Sequence, residues 1–274
     1  MEEFNSPIEK HYFKAELFED IVNRLKELDV NLNKVTRANI AGVDEFHVRG
    51  AEVSKELAGS IEIKNTEVLD VGCGLGGPAR MLSDEYNCLV TGIDLSEEYI
   101  RTAQKLSELV NLNTKTKFIH GDATQLPFEN ESFDVVWTQH VQMNVPDKNK
   151  FYSEINRVLK KNGYFIYYDI LKRGDEEVIY PMPWANDPSI SFLMTEKELE
   201  ANLSNLNFER IKTKDESVQG IQFFEKLLAK IKEFGPPTLG LNVLMGPSTK
   251  DKIVNLLNGL KDEKIVLQSG AYKK

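Results

Sequence analysis

Five polar residues, Asp70, Asp94, Asp122, Gln139 and His140, stand at or just beyond the carboxyl ends of short apolar runs. Their types suggest ligand binding and proton transfer. A carboxylate accepts hydrogen bonds from hydroxyl and amino groups. A histidine titrates near neutrality and can act as a base. Two further groups precede the first of these runs. Arg49 could hold a carboxylate through two parallel bonds, and His47 could touch a substrate.

The elements that must position these groups follow from the pattern around them. Val68 to Val71 reads as a strand buried on both faces. Glycines at 72, 74, 76 and 77 let the backbone turn sharply and approach a ligand, and Pro78 suits the first turn of a helix. The stretch 67–80 is therefore a strand, a nucleotide-binding loop and a helix start. Further strands are expected at 89–94, 117–123, 132–138, 164–170, 207–215 and 263–272. Helices are expected over 8–30, 51–58, 77–86, 96–110, 148–160, 195–203, 218–233 and 249–260. Lys161-Asn162-Gly163 reads as a turn, and three prolines exclude regular structure from 180–188.

Strands alternating with helices predict an α/β fold with a mostly parallel sheet and right-handed crossovers. Ligands in such sheets sit outside the carboxyl ends of the strands, where the strand order switches. The five polar residues converge there. The helical excursion before the last strand is longer than a hairpin needs and reads as a lid or a dimer surface.

Composition narrows the function. Hydrophobic residues at 41% supply a core, and a net charge of −9 argues against a nucleic-acid backbone as partner. No apolar run has the length of a membrane span, and residues 1–6 lack the basic-then-apolar order of a leader. Two cysteines, Cys73 and Cys88, favour a reducing cytoplasm over a disulfide framework. No Cys/His cluster has the spacing of a zinc site, so no metal is expected.

Gly72-x-Gly74-x-x-Gly77 followed by Asp94 formally fits a dinucleotide fingerprint. Tyr168 and Lys172 supply the spacing of one NAD-dependent reductase family. That pair belongs on a helix, and on a strand it is separated by roughly 13 Å. The fuller pattern is Asp70-x-Gly72-x-Gly74-x-Gly76, Asp94, Gly121-Asp122-Ala123, Pro127-Phe128, Ser132 to Val136, and Glu154-x-x-Arg157 to Gly163. It resembles the class I S-adenosylmethionine-dependent methyltransferases over roughly residues 60–270. Gly74 to Arg80, Thr138 to Asn144 and Pro183-Trp184-Ala185 resemble a small-molecule group within the class. That group is similar to the sarcosine/dimethylglycine and phosphoethanolamine N-methyltransferases and the ubiquinone/menaquinone C-methyltransferases.

The resemblance implies a Rossmann-like, mostly parallel seven-stranded sheet with helices on both faces and an antiparallel last strand. It implies a single domain, with an N-terminal helical cap over 1–60, a cofactor-binding core over 61–217, a helical insertion over 218–262 and the last strand over 263–274. The implied cofactor is S-adenosylmethionine, leaving as S-adenosylhomocysteine. Gly72, Gly74 and Gly76 would lie against its methionine part, and Asp70 would hold the loop and the ammonium. Asp94 would accept from the ribose hydroxyls. Leu95 would pack on the adenine, Asp122 and Ala123 would meet its edge, and Gln139 would lie near the methionine moiety. Arg49 would contact cofactor or substrate. His47, Gln139, His140, Met143 and Trp184 would line the substrate pocket, with His140 as the catalytic base. Tyr12, Phe13, Phe46, Tyr180, Trp184 and Phe192 could form an aromatic wall.

The reaction implied is in-line displacement at a sulfonium methyl, in which alignment alone can supply on the order of 7–11 kcal/mol. The expected acceptor is a glycine/sarcosine-like or phosphoethanolamine-like amine. A quinone precursor or phenol is the alternative, and a non-catalytic cofactor-binding module is the rival outside enzymes. The expected partners are a small-molecule substrate without nucleic acid, in a monomer or homodimer.

Overall fold

The centre of the sheet is the product of apolar runs too short for helices and too continuous for one-sided strands. The computed structural model describes residues 2–174 and 176–274, with side chains from Asn5 onward. The first residue of the expected N-terminal cap lies outside the described residues. Seven strands form one sheet: β1 (Glu67–Val71), β2 (Leu89–Asp94), β3 (Thr116–His120), β4 (Phe133–Gln139), β5 (Leu159–Lys172), β6 (Glu209–Asp215) and β7 (Ile265–Lys273). Their order is β3-β2-β1-β4-β5-β7-β6. The first five are mutually parallel, and β7 runs antiparallel to both β5 and β6. The order reverses between β1 and β4, so a crevice opens beyond their carboxyl ends.

Alternation sorts the strand residues between two cores. Val68, Trp137, Ile166 and Tyr168 face one helical layer, while Leu69, Val71, Val136, Phe165 and Tyr167 face the other. The helices are α1 (Glu2–Tyr12), α2 (Leu17–Glu27), α3 (Arg37–Asp44), α4 (Ala51–Ala58), α5 (Gly77–Glu85), α6 (Glu97–Leu109), α7 (Lys148–Val158), α8 (Glu196–Asn205), α9 (Ser217–Phe234), α10 (Asn242–Met245) and α11 (Thr249–Lys261). Local signals set several of their starts. Pro78 occupies the first turn of α5, Ser96 Oγ accepts from Tyr99 N at 3.3 Å, and Thr195 with Glu198 forms a capping box.

Two expectations change. The apolar stripe over 8–30 is two helices, because the chain breaks after Tyr12 and Glu16 takes a left-handed conformation at φ 55°. The turn at 161–163 is an irregularity inside β5, where Asn162 has φ 63° and the pairing with β4 shifts register. The excursion before β7, expected as a lid or a dimer surface, packs one face into the core and leaves Val218 and Phe234 of α9 exposed. Phe224 of α9 and Ile253, Leu256 and Leu260 of α11 are buried in the same core as Ile265 and Leu267, because β7 needs its face covered. Leu239, Val243 and Leu244 pack with Leu17, Ile21 and Leu25 of α2 and Ile40 and Val43 of α3.

Arg80 of α5 joins these layers. It is wholly buried and donates to the Asp44 carboxylate of α3, the Leu75 carbonyl of the glycine loop, and Ala103 O and Ser107 Oγ of α6. Arg80→Met should lower the unfolding free energy by about 3–5 kcal/mol, since it strands a buried Asp44 carboxylate. Urea unfolding measures this, and a loss below about 1 kcal/mol, the level of an exposed pair, would contradict it.

Candidate active site

The crevice at the switch in strand order is a cleft of about 1080 Å³ of empty space, counting the part open to solvent. Gly72, Cys73, Gly74 and Leu75 form its floor, and Asp94 to Ser96, Gly121 to Thr124 and Gln139 to Val141 form its sides. Helix α1 lies across it through Asn5, Ile8, Glu9 and Tyr12. Gly72 has φ 70°, and a Cβ there would strike the Val141 side chain at 2.4 Å. Gly74 has φ 53° and nothing within 4 Å of where a Cβ would point, so its bare backbone faces open space.

The acids differ in how well they are satisfied. Asp94 accepts from Gly74 N at 2.9 Å through Oδ2 and from Ser96 N at 2.8 Å through Oδ1. Burial still raises its pKa against those two bonds. Asp122 accepts from Thr124 N and Oγ1, both at 2.7 Å, and from Asn5 Nδ2 at 2.9 Å. Asp70 is 2% exposed, and its Oδ2 has no hydrogen-bond partner. Burial, followed by the neighbouring Glu45 and Asp94 charges, pushes its pKa up to about 8. A buried carboxyl left this way has room for a hydrogen-bond donor, and a charged donor makes the stronger bond.

Across the cleft, Gln139 Oε1 accepts from Trp137 Nε1 at 2.8 Å and Ser54 Oγ at 3.3 Å, so its amide nitrogen is the end without a partner. The single Ser54 hydroxyl proton is shared with Glu45 Oε2, the nearer acceptor at 2.9 Å, and His47 Nε2 lies 2.6 Å from that oxygen. Burial pushes Glu45 up, but the bonds from His47 and Ser54 outweigh it and hold the carboxyl below its usual range. His140 has φ 54° just past β4, and its backbone N–H donates to Tyr168 O at 2.8 Å. Its ring lies 5.0 Å from that of Tyr168 and 6.1 Å from that of His47. Its Nε2 has no partner. Burial, with His47 beside it, lowers its pKa well below 6.5, so the imidazole is neutral at neutral pH and retains a free lone pair.

The cleft thus gathers Asp70, Gly72, Gly74, Asp94, Leu95, Asp122, Ala123, Gln139, His47 and His140. Four expected residues are elsewhere. Arg49 is buried among Glu52, Glu56 and Glu216, with Glu216 Oε2 at 3.1 Å; Glu52 and Glu56 lie on α4, the helix it precedes. Gly76 makes the turn into α5 against the Phe118 ring rather than facing the cleft. Met143 is buried in the core under the loop after β4. Trp184 is buried too, its Nε1 donating to Ser191 Oγ at 2.8 Å and its carbonyl accepting from Asn144 Nδ2 at 2.9 Å. Tyr168 and Lys172 both fall on β5, so the reductase pair is not assembled.

Of the expected aromatic wall, Tyr12 and Phe46 are present and Tyr99 joins them. The Tyr12 ring lies 6.4 Å from Phe46 and 5.8 Å from Tyr99. Asn5 and Tyr99 were not expected here. Nothing local marks Asn5, and the helical period of α6 marks Tyr99 as core.

Residues 69–167 match the methyltransferase domain family. A sterol 24-C-methyltransferase of Pneumocystis carinii is 33% identical over 181 residues, 61% of this chain and 47% of that protein. A 2-methyl-6-phytyl-1,4-hydroquinone methyltransferase of Synechocystis is 41% identical over 113 residues, 41% of this chain and 35% of that protein. The chain thus spans less than half the length of these two curated relatives. Among solved structures, phosphoethanolamine N-methyltransferase 2 of Haemonchus contortus superposes with a TM-score of 0.72 at 20% identity, over 86% of this chain and 55% of that one. That likeness carries the fold alone.

Asp70→Asn isolates the cost of the empty carboxyl. An acid with a raised folded pKa makes the fold lose stability as pH rises toward that value. The variant should therefore gain on the parent between about pH 4, where the unfolded carboxyl ionises, and about pH 8, where Asp70 ionises in the fold, measured as the difference in urea midpoints. Equal pH slopes for the two proteins would contradict the raised Asp70 pKa.

Proposed function

We propose, from the premise that residues 69–167 belong to the methyltransferase domain family, that this chain is an S-adenosylmethionine-dependent methyltransferase acting on a small molecule. The observation that carries the reading is the unpartnered, buried Asp70 carboxyl beside the open Gly74 backbone. The residues present fit the cofactor. Asp70 would take its ammonium, and the free amide nitrogen of Gln139 its carboxylate. Asp94, pinned by two backbone N–H groups, keeps acceptor capacity for ribose hydroxyls, and Asp122 with Ala123 would meet the adenine edge beside Leu95. When bound, the sulfonium supplies an activated methyl group.

The chain's own task is then to orient an acceptor, exclude water and remove a proton. Helix α1 covers the cleft, with Tyr12 OH held by Asn144 Oδ1 at 2.7 Å. The neutral His140 imidazole, with Nε2 free, accepts the proton that the acceptor loses as it gains the methyl group. An amine is the acceptor we favour. The aromatic faces of Tyr12, Phe46 and Tyr99 suit a nitrogen that becomes cationic, at roughly 0.5–2 kcal/mol per good contact. C-methylation is the second reading, favoured by the likeness to a sterol 24-C-methyltransferase.

Calorimetric titration should show binding of S-adenosylmethionine and S-adenosylhomocysteine, and none of NADH. The reverse pattern would overturn the assignment. At pH 7 the titration should also release a proton, read from buffers of differing ionisation enthalpy, because Asp70 must ionise beside an ammonium. Asp70→Asn should abolish that release. With a working acceptor, His140→Ala should cut kcat by roughly 10²–10⁴-fold while leaving S-adenosylhomocysteine affinity nearly unchanged. Equal loss of both would make His140 structural.

A further inference from the structure

Beyond the aromatic wall lies a second cavity, of about 530 Å³ of empty space counting the part open to solvent, that the reaction above does not use. Tyr12 and Phe46 line both cavities. The ionisable lining of the second consists of Lys14, Lys252, His11 and the shared Tyr12, with Asn186 and Ser248 as further polar groups. Among the described residues no aspartate or glutamate lines it, although the chain holds 43 acidic residues against 34 basic ones.

Lys252 stands out against the two buried arginines, and the half-buried Lys14 lies beside it. Arg80 is matched by Asp44, and Arg49 by Glu216. Lys252 is 4% exposed, and its Nζ reaches the Met245 carbonyl at a long 3.5 Å. Lys14 Nζ lies against Gly246, 3.1 Å from where a Cβ would stand. Among the described residues, neither lysine pairs with an acid. His11 Nε2 lies 3.0 Å from the Pro183 carbonyl. Asp187 acts on His11 from the exposed rim, but its own carboxylate already accepts from Ser189 N. Burial and then Lys14 lower the Lys252 pKa. Burial also lowers that of His11; the Pro183 carbonyl and Asp187 oppose this, and both lysines add to it. Cations gathered in a part-buried space without a counter-charge are costly until an anion joins them.

We propose that the Lys14–Lys252–His11 cavity is an oxyanion site, taking a phosphate or carboxylate group. The shared Tyr12–Phe46 wall makes the methyl acceptor's own anionic group the first source, a use that rests on the methyl-transfer reading. A free anion is the second source.

Titration with inorganic phosphate at constant ionic strength tests the site. The parent protein should bind phosphate, and Lys252→Gln and Lys14→Gln should each weaken binding by about tenfold or more. S-adenosylhomocysteine affinity should be unchanged in both. Lys14 is only half-buried, so its variant decides the matter if Lys252→Gln does not fold. No phosphate binding by the parent, or undiminished binding by Lys14→Gln, would overturn the proposal. Phosphate that raises the KM of phosphorylated or carboxylated amines supports the site as the acceptor's. Phosphate that binds without that effect supports it as a free-anion site. Failure to bind S-adenosylhomocysteine with phosphate binding intact would sink the methyltransferase reading and leave the site standing.

Discussion

The buried pairing of Arg80 with Asp44 is the constraint on which the geometry of the cleft depends. A guanidinium with no exposure needs its donors satisfied from several directions at once. Here the partners belong to α3, the glycine loop and α6, so satisfying one side chain fixes three separate segments. The packing leaves no slack beside it. A Cβ on Gly77 would come within 2.0 Å of the Asp44 carbonyl oxygen, so α3 and the start of α5 touch backbone to backbone. The loop that approaches a ligand is therefore clamped from behind, and its open glycine faces a rigid cradle.

The cleft concentrates negative charge, whereas the neighbouring cavity concentrates positive charge. Asp70 and Asp94 stand together in one wall, with Glu45 near them, and the Glu45 and Asp94 charges add to the cost of ionising Asp70. A preorganised field of that sign favours a ligand carrying positive charge and penalises a dinucleotide's phosphates at the same loop. The glycine spacing is shared by both ligand types. The unsatisfied Asp70 behind it separates them.

Much of this was legible in the sequence, for identifiable reasons. Strands buried on both faces announce themselves as continuous apolar runs, and so 67–71 and 89–94 were read to the residue. Residues at the ends of such strands inherit a known position, which is why Asp70, Asp94, Asp122, Gln139 and His140 meet at one cleft. Residues off the sheet carry no such address. Arg49, Met143 and Trp184 have plausible chemistry, but their partners lie 3 to 167 positions away along the chain or within the core. Asn5 reaches Asp122 across 117 positions, and nothing in its neighbours foretells that contact. The charge pattern of the second cavity was equally hidden, because α1, the segment after it and α11 supply one group each.

The insertion of β7 between β5 and β6 also bears on how the chain is made. Strand β6 ends at Asp215, and the strand it pairs with begins at Ile265, after three intervening helices. During synthesis β6 must wait for about fifty further residues, a few seconds at ribosomal speed, with both edges bare. Such an edge invites pairing with another chain. Its sequence, Glu-Arg-Ile-Lys-Thr-Lys-Asp, answers that hazard with charge at five of seven positions, and all seven residues stay exposed in the finished fold. The charged edge serves as a gatekeeper for a strand whose partner arrives late.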